Sequence, residues 1–277
     1  MQHQNGSIIG NSVAASAAPA IDPTFNLQEN PIALFGLDIA DTTIEQAAGW
    51  LVERARHAIP TQISFLNADC VNIMHRNPAY RAALEHSHRI FADGIGVRLA
   101  ARLAGHTLRD NVNGTDLFPV LCRQAAQRNV SLYLFGARDD RARTAGRNMQ
   151  RTNPGLTIAG SHHGYIDDEA AETRLIEDIN ASGTDILLVA LGAPRQELWI
   201  ARNRHRLRPA VVLGVGGLFD YYSGNIPRAP KAMRQIGMEW VWRLAMEPRR
   251  LARRYILGNA EYLLRVFLLA ARPPQST

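Results

Sequence analysis

Short apolar runs alternate with amphipathic stretches along most of this chain of 277 residues, and this alternation constrains its fold more than any other feature. The apolar runs have the length of strands and lie at 62–66, 89–92, 130–135, 156–159, 185–191 and 210–213. The stretches between them have helical periodicity and lie at 78–87, 95–103, 116–127, 142–150, 169–180 and 195–204. Strands that alternate with helices favour a mostly parallel, doubly wound sheet with helices on both faces, so we predict an α/β fold.

The two ends of the chain are predicted to differ from this α/β region. Residues 1–30 are rich in Ser, Ala and Pro without periodicity, so we expect a disordered leader, and they lack the basic and apolar segments of a signal peptide. Order is expected to begin with a strand at 32–39, and a capping box at 42–45 then opens a helix that ends near His57. The predicted organisation is a leader (1–30), an α/β domain (31–227) and a helical, Arg-rich appendage (228–277).

The positive charge of the protein is concentrated in that appendage. The whole chain carries a formal net charge of +6. From Arg228 onward, ten basic residues stand against three acidic ones, a net +7, so the first 227 residues carry −1. A basic segment of this kind favours an anionic partner such as a phosphate, a nucleic acid or a membrane surface.

Composition excludes several classes of protein. Hydrophobic residues make up 46% of the chain and charged residues 20%, which excludes collagen-like, coiled-coil and wholly disordered proteins. No run reaches the roughly 18 uninterrupted apolar residues of a membrane span. Cys70 and Cys122 are too few for a disulfide framework and lack metal-site spacing, so we expect a reducing, cytoplasmic location.

The loops that follow the predicted strands hold the candidate site residues, because ligands of such sheets bind at the carboxyl ends of the strands. Asp93 is the strongest candidate for a site residue, since it ends a strand and precedes glycines that let a substrate approach closely. The other candidate loops are Asn67–Asp69, Asn113–Asp116, Gly136–Ala137, Gly192–Glu197 and Gly214–Gly217. Each of these segments also has a purely structural interpretation as a turn or a helix cap, which the sequence leaves open.

Several common cofactor and metal motifs are absent from the sequence. There is no Gly-x-Gly-x-x-Gly fingerprint and no P-loop, which disfavours a dinucleotide-dependent oxidoreductase and an NTPase. The histidines lack metal spacing, and there is no Asp-x-Asp pair of the kind that holds a divalent metal against a sugar diphosphate. A diphosphate leaving group would therefore need cationic side chains, which the Arg-rich appendage can supply.

Seven motifs, in order along the chain, resemble the WecG/TagA/CpsF family of bacterial glycosyltransferases, also called glycosyltransferase family 26. They are Phe-Leu-Asn67-Ala-Asp, Ala-Asp93-Gly-Ile-Gly96, Asn113-Gly-Thr-Asp116, Leu-Gly192-Ala-Pro-Arg-Gln196-Glu197, Gly214-Val-Gly-Gly-Leu-Phe-Asp220, Gly224-Asn-Ile-Pro-Arg-Ala-Pro230, and the tail motif Glu239-Trp-Val-Trp-Arg243 with Glu247-Pro-Arg-Arg250-Leu-Ala-Arg253. The resemblance covers about residues 32–255. It implies a Rossmann-like fold and an inverting transfer of a sugar from a UDP-sugar to a polyprenyl-diphosphate-linked sugar in cell-surface polysaccharide or teichoic acid synthesis.

The resemblance also implies roles for individual residues. The catalytic aspartate of the family falls on Asp93, and its pocket asparagine and glutamine fall on Asn67 and Gln196. Its functional tail arginines fall on Arg243, Arg250 and Arg253, which we expect to neutralise the UDP diphosphate without a metal or other cofactor. The remaining substrate-binding candidates are Asn113, Asp116, Gly136, Gly192 and Glu197. Some members have Thr where this chain has Phe65, which bears on the choice of sugar: N-acetylmannosamine, its uronic acid or glucose.

The tail is predicted to form two helices that both cover the active site and attach to an anionic membrane. The first should span 234–246 with Ile236, Trp240 and Leu244 on one face, and the second should begin near Pro248. The second carries an apolar stripe of Leu251, Tyr255, Tyr262 and Val266, widened by Ile256, Leu263 and Phe267, beside a cluster of arginines. The alternative is that both helices pack on the sheet or in an oligomer interface.

The expected partners are therefore a UDP-sugar, a lipid-linked sugar acceptor and the inner face of the cell membrane, and no nucleic acid, with a homo-oligomer left open. A nucleic-acid-binding module built on the tail and a dinucleotide-dependent oxidoreductase are the alternative functions.

Overall fold

Eight strands form one sheet in the computed structural model, which describes residues 31–235 and 237–270. The strands are β1 (Ile32–Leu34), β2 (Leu37–Ala40), β3 (Thr61–Leu66), β4 (Arg89–Ala92), β5 (Ser131–Gly136), β6 (Thr157–His162), β7 (Ile186–Ala190) and β8 (Val211–Gly214). Their order across the sheet is β1-β2-β4-β3-β8-β7-β5-β6, and every neighbouring pair except β1 and β2 is parallel. The predicted α/β fold with a mostly parallel sheet is confirmed.

Twelve helices belong to the described part of the chain. They are α1 (Ile44–Arg56), α2 (Ala68–Arg76), α3 (Pro78–Glu85), α4 (Ile95–Leu103), α5 (Gly114–Gln127), α6 (Arg141–Thr152), α7 (Glu169–Ala181), α8 (Arg195–Asn203), α9 (Leu218–Tyr222), α10 (Lys231–Gln235), α11 (Glu239–Met246) and α12 (Pro248–Ala270). The predicted leader, residues 1–30, lies outside the described residues. So do Ile236 and the side chains of Arg250, Arg253 and Arg254.

Helices cover both faces of the sheet, as the alternation of side chains along the strands shows. In β5, Leu132 and Leu134 point into a core shared with α1, α5, α6 and α9. Tyr133 and Phe135 point the opposite way, into a core shared with α7 and α8. At the other end of the sheet, a third core joins β2 and β4 to α2, α3, α4 and α12. Successive residues of a strand face opposite sides of a sheet, so a strand that is apolar throughout must be buried on both.

The first predicted strand is in fact a hairpin. Residues 32–39 divide into β1 and β2, which pair antiparallel with Ile32 opposite Ile39. The turn between them places Phe35 at φ 57° and Gly36 at φ 76°. Two consecutive residues with positive φ form the tight turn that suits a two-residue hairpin, and only the glycine signals it in the sequence.

The start of α1 and the presence of α2 also differ from expectation. The capping box lies one residue later than predicted, because the Thr43 hydroxyl accepts from the Gln46 amide and the Gln46 side chain accepts from the Thr43 amide, each at 3.3 Å. Asn67, predicted to lie in a loop, caps the unpredicted helix α2 through a bond from the Cys70 amide to its side-chain oxygen (3.1 Å). Helix α9 was likewise not predicted.

The prediction of one helix over 234–246 is wrong. The chain forms α10 and α11 instead, and Gly237 lies between them at φ 74°. The Met238 amide donates to the Met233 carbonyl at 2.8 Å, the bond that typically closes a helix whose last turn is followed by glycine. Helix α12 begins at Pro248 as predicted, and no helix among the described residues is long and apolar enough to cross a bilayer.

The predicted apolar stripe of α12 faces the protein rather than a membrane. Leu251, Tyr262 and Val266 are buried, and Tyr262 and Val266 belong to the core beside α2 and α4. Side-chain Nδ2 of Asn72 donates to the Gly258 carbonyl (2.7 Å) and further ties α12 to α2. The interpretation in which the helix packs on the domain is correct for these residues. An amphipathic helix buries one face, and in the 23-residue helix α12 the face that carries these residues is buried against the domain.

Candidate active site

A cleft of about 650 Å³, here called the main cleft, lies at the carboxyl ends of the parallel strands. Residues from five different strand ends line it, one from each being Asn67 (after β3), Asp93 (after β4), Ala137 (after β5), Gly192 (after β7) and Val215 (after β8). Their convergence follows from the sheet order, since β4, β3, β8, β7 and β5 are consecutive neighbours. This is the edge at which open α/β sheets bind ligands.

Asp93 and Asn67 lie side by side in this cleft. Nδ2 of Asn67 donates to Oδ2 of Asp93 at 3.2 Å, while the Asp93 amide donates to the Leu66 carbonyl at 2.9 Å. The Gly94 amide donates to Oδ1 of Asn111 at 2.6 Å, which anchors the start of α4 beside the aspartate. Gly94 has φ 96°, and a Cβ added to it would have no atom within 4 Å. The loop therefore needs a glycine for its backbone conformation and not for lack of space. The half-buried Asp93 carboxylate is thus held between two strand ends at the surface of the cleft.

Gln196 joins the loops after β7 and β8. Its Oε1 accepts from the Gly192 amide (3.0 Å) and the Gly216 amide (2.8 Å), and its Nε2 donates to Oε1 of Glu197 (2.8 Å). The predicted contact between Gln196 and a sugar hydroxyl stays a prediction. The bonds show that Oε1 already has two donors, so only the second hydrogen of Nε2 remains for a ligand.

Glu197 lies beneath the cleft with only 1% of its surface exposed. Its second carboxylate oxygen, Oε2, is buried and has no hydrogen-bond partner in the described structure. Burial raises the pKa of Glu197 to about 7, against which the hydrogen bond from Gln196 acts only in part. When the pKa of a carboxyl group differs between the folded and the unfolded chain, the free energy of unfolding depends on pH.

The tail brings Arg243 to the same cleft. Arg243, Glu247 and Leu251, from the end of α11 to the start of α12, line it together with the loop after β8. The guanidinium of Arg243 stacks over the Tyr221 ring at 5.2 Å. Its Nε is buried and donates no hydrogen bond within the described part of the chain. Burial alone lowers the pKa of Arg243, but neighbouring acidic groups, of which Tyr221 contributes most, outweigh it and raise the pKa, so the guanidinium stays charged.

Asn113 and Asp116 face a second opening rather than the main cleft. Asn113 caps α5, since its Oδ1 accepts from the Asp116 amide (2.8 Å) and its Nδ2 donates to the Asp116 carboxylate (2.7 Å). Asp116 also accepts from Nη2 of Arg228 at 2.8 Å and lies 3.6 Å from Arg234. Asn113 therefore caps α5 and holds the Asp116 carboxylate, and Asp116 attaches the tail to α5.

Three other predicted site residues remain, namely Gly136, Arg250 and Arg253. Gly136 is not among the lining residues, although its neighbour Ala137 is. A Cβ at Gly136 would stand 2.3 Å from the Ala190 carbonyl oxygen, so glycine is required there for the close approach of β5 and β7. The side chains of Arg250 and Arg253 lie outside the described residues, and their roles stay predictions.

The sequence interpretation missed several residues of the cleft. Arg138 and Tyr165 line it, and Arg141 forms an ion pair with Asp220 at 2.6 Å within it. Arg195, which lies inside the predicted loop Gly192–Glu197 but was given no role there, lines the cleft as well. Arg138 lies three residues after the predicted strand 130–135, so the rule that directed attention to Gly136 could have found it. Tyr221 carried no comparable signal, because its position depends on the unpredicted helix α9.

Phe65 occupies the position where some family members have Thr, and it forms part of the cleft wall. Its ring packs on that of Phe91 at 5.8 Å. This wall is therefore apolar next to Asn67.

Within the described residues, no three His, Cys, Asp or Glu side chains are grouped so that they could hold a metal ion.

Comparison with known proteins agrees with this geometry. The model of the glycosyl transferase WecG/TagA/CpsF family matches residues 32–276. A relative from Bacillus subtilis, named N-acetylglucosaminyldiphosphoundecaprenol N-acetyl-beta-D-mannosaminyltransferase, is 34% identical over 204 residues, which are 74% of this chain and 78% of the relative. The protein of the same name from Bacillus spizizenii is 37% identical over 175 residues, which are 63% of this chain and 67% of that protein.

These matches set aside the nucleic-acid-binding and oxidoreductase alternatives. With its cleft at the carboxyl edge of a parallel sheet and its family motifs on the walls of that cleft, the chain belongs to the WecG/TagA/CpsF family and is a glycosyltransferase.

Proposed function

We propose that this enzyme transfers N-acetylmannosamine from a UDP-sugar to N-acetylglucosamine linked through a diphosphate to a polyprenol, with inversion at the anomeric carbon. The names of the two Bacillus relatives support this choice of sugar and acceptor. The observation that carries the proposal is the convergence of the Asp93 carboxylate, the Asn67 amide and the Arg243 guanidinium on one cleft. These groups are the ones that such a transfer requires.

Asp93 acts as the general base in this proposal. An inverting transfer needs a carboxylate that takes the proton of the acceptor hydroxyl while its oxygen attacks the anomeric carbon from the side opposite the UDP. Asp93 lies at the rim of the cleft, and Asn67 fixes the orientation of its carboxylate by the 3.2 Å hydrogen bond.

Arg243 neutralises the charge that develops on the departing UDP. A guanidinium offers five N–H donors in a fixed plane and binds diphosphate oxygens in a bidentate manner. The buried Nε of Arg243 lacks an acceptor in the described structure, and a phosphate oxygen of the donor would supply it. Arg138 and Arg195 and the glycine loops after β7 and β8 line the same cleft and would hold the rest of the nucleotide.

The tail attaches the enzyme to the inner face of the membrane in this proposal. Of the exposed large hydrophobic side chains described, all except Tyr165 and Met246 lie on α4 or α12. The membrane face consists of Ile95, Leu99, Leu103, Ile256, Leu257, Leu263, Leu264, Phe267 and Leu268. Exposed apolar side chains on a basic segment fit adsorption to an anionic bilayer, in which each Lys or Arg near the surface contributes about 1 kcal/mol. The lipid-linked acceptor resides there.

A donor screen tests the proposed function directly. The purified enzyme is incubated with a polyprenyl-diphosphate N-acetylglucosamine and, separately, UDP-N-acetylmannosamine, its uronic acid counterpart or UDP-glucose, and the lipid product is analysed by mass spectrometry and by NMR at the new anomeric centre. We expect a product only or mainly with UDP-N-acetylmannosamine, of inverted configuration. A product with UDP-glucose alone would refute the proposed sugar, and a retained configuration would refute the role of Asp93.

A further inference from the structure

A second cavity of about 350 Å³ opens from the same catalytic edge, on the side away from the loops after β5 and β7. This side cavity lies between α4, α11 and α12. It shares Asn67, Asp93, Thr115, Tyr221 and Arg243 with the main cleft. The candidate base therefore stands where two binding spaces meet, as a transferase with two substrates requires.

The charges of the two spaces differ. Of the residues that the structure describes, four arginines and four carboxyl groups line the main cleft, and one of these carboxyl groups is the buried Glu197 with its raised pKa. Among the described residues, Arg234 and Arg243 line the side cavity together with Asp69, Asp93, Asp116 and Glu239, and Arg228, outside the lining, pairs with Asp116 and Glu239 at 2.8 and 3.7 Å. Carboxylates accept hydrogen bonds from sugar hydroxyls, whereas the arginines of the main cleft suit the diphosphate of a nucleotide. The nucleotide thus belongs in the main cleft, and the side cavity suits a neutral sugar.

The walls of the side cavity offer further groups for a sugar. Tyr262 is 2% exposed and lines the cavity, yet its buried hydroxyl has no hydrogen-bond partner in the described structure. A buried polar group without a partner is costly, and a ligand hydroxyl in the cavity would satisfy it. Trp240 and Tyr255 lie with ring centres 5.8 Å apart on the same wall and present flat apolar surfaces.

The mouth of the side cavity is apolar. Ile95, Leu99 and Leu263 line the cavity and are 43%, 40% and 50% exposed. One helical turn further, Leu103 on α4 and Phe267 on α12 are exposed as well, at 51% and 77%. An interior that offers carboxylates to sugar hydroxyls and Arg234 to a phosphate, and that opens onto an apolar rim, matches a molecule in which a diphosphate joins a sugar to a hydrocarbon chain.

We propose that the side cavity binds the sugar of the acceptor, with Tyr262 as a specificity-determining contact. The hydrocarbon chain of the acceptor then extends out of the cavity along Leu99 and Leu263. This assignment rests on the proposed function, because it takes the acceptor to be a sugar on a polyprenyl diphosphate. It places the two substrates on opposite sides of Asp93. It also gives α4 a task in the reaction beyond its role in the fold.

Steady-state kinetics of Tyr262→Phe test the sugar contact, in detergent and with whichever UDP-sugar the wild-type enzyme uses. Loss of one hydrogen bond should raise KM for the acceptor about three- to tenfold, while KM for the donor and the Kd for UDP stay unchanged. The thermal midpoint should stay level or rise, since the hydroxyl has no partner without substrate. Tyr80→Phe, at a tyrosine that is equally buried but lines neither cavity, is the matched control and should leave acceptor KM unchanged.

Leu99→Gln tests the path of the hydrocarbon. It should raise acceptor KM at least threefold for an acceptor with a full-length polyprenyl chain and by a smaller factor for one with a two-isoprene chain, which covers less of the path. Met246→Gln, at an exposed residue that lines neither cavity, is the control.

The two proposals fail in different ways. If the wild-type enzyme transfers no sugar to a lipid-linked acceptor, the proposed function is wrong. If the wild-type enzyme is active but Tyr262→Phe leaves acceptor KM unchanged or raises donor KM instead, the assignment of the side cavity is wrong. Equal effects of Leu99→Gln on long and short acceptors would exclude the proposed path of the hydrocarbon.

Discussion

Single residues at the carboxyl edge of the sheet divide between those that face the cleft and those that hold its walls in place. Asp93 and Arg243 face the cleft, whereas Gln196 joins two loops and Gly136 permits two strands to meet. The sequence marks all four in the same way, as residues near the end of a strand or in a tail motif. Only the contacts separate the two groups, because a glycine that admits a ligand and one that admits a neighbouring backbone look identical in a sequence.

Replacing Asp93 by Asn should remove most of the activity and little else. Asparagine keeps the shape of the side chain but cannot take a proton at neutral pH, and positioned general-base catalysis contributes about 10²- to 10⁴-fold. We expect kcat to fall by about that factor, with the Kd for UDP measured by calorimetry unchanged. Turnover of Asp93→Asn within a factor of about three of wild type would mean that another group takes the proton.

Glu197 should make the stability of the fold depend on pH. Its pKa rises from 4.5 in the unfolded chain to about 7 in the folded protein, so the folded state binds more protons between these values. The free energy of unfolding should therefore fall as pH rises from about 4.5 to 7, by an amount on the order of 3 kcal/mol, and stay low above that.

Glu197→Gln should abolish this fall. The midpoint temperature of thermal unfolding should therefore be higher for the variant than for wild type at pH 8 but not at pH 5. Glu169→Gln, the same change at an exposed position, serves as the control. If the difference between Glu197→Gln and wild type were the same at both pH values, the buried carboxyl group would not have the raised pKa.

Gly136→Ala should destabilise the protein rather than alter substrate binding alone. The new methyl group would meet the Ala190 carbonyl oxygen at 2.3 Å, and φ at this residue is 127°. Overpacking and an unfavourable backbone conformation together cost about 2–5 kcal/mol. Gly105→Ala, at φ 82° with no atom within 4 Å, isolates the backbone contribution. In urea unfolding, Gly136→Ala should lose clearly more stability than Gly105→Ala, and equal losses would contradict the steric explanation.

At the scale of elements, the strands and most helices of the α/β region follow from the sequence pattern, but the tail does not. The apolar periodicity of 234–246 fits one helix, yet Gly237 ends the first helix at a point where a glycine can adopt positive φ. In α12, apolar residues occupy more than one face, and periodicity alone does not tell which face the domain covers. Contacts of Tyr262 and Val266 with the core decide that, and these involve residues more than 150 positions away in the sequence.

The exposed face of α12 should bind membranes. Changing Ile256, Leu257, Leu264 and Leu268 to Gln together removes apolar surface that lines neither cavity. We expect the variant to sediment with anionic vesicles at least tenfold less than wild type, while its turnover with a short-chain acceptor in solution is unchanged. Vesicle binding equal to wild type would show that the arginines alone, or another face, attach the enzyme.

At the scale of the whole molecule, the site forms where a parallel sheet and a folded-back tail meet. The position of the loops after β3, β4, β5, β7 and β8 at one edge was predictable, because all parallel strands end on the same side. Which strands are neighbours was not predictable from the pattern, nor that the tail would place Arg243 beside Gly217, where an added Cβ would stand 3.1 Å from its guanidinium. The family resemblance pointed to Arg243, and the long-range contacts explain how it reaches the cleft.

In the proposed mechanism, the tail completes the catalytic site through Arg243. The most direct test is the single-turnover rate of sugar transfer to the lipid acceptor by wild type, Arg243→Ala, Arg243→Lys and the exposed control Arg249→Lys. Loss of a group that stabilises developing charge costs about 10²- to 10³-fold, so Arg243→Ala should be slower by that factor. Arg243→Lys should recover only part of the rate, since lysine keeps the charge without the planar fork, and Arg249→Lys should match wild type. If Arg243→Ala transferred sugar as fast as Arg249→Lys, the tail would not take part in the reaction.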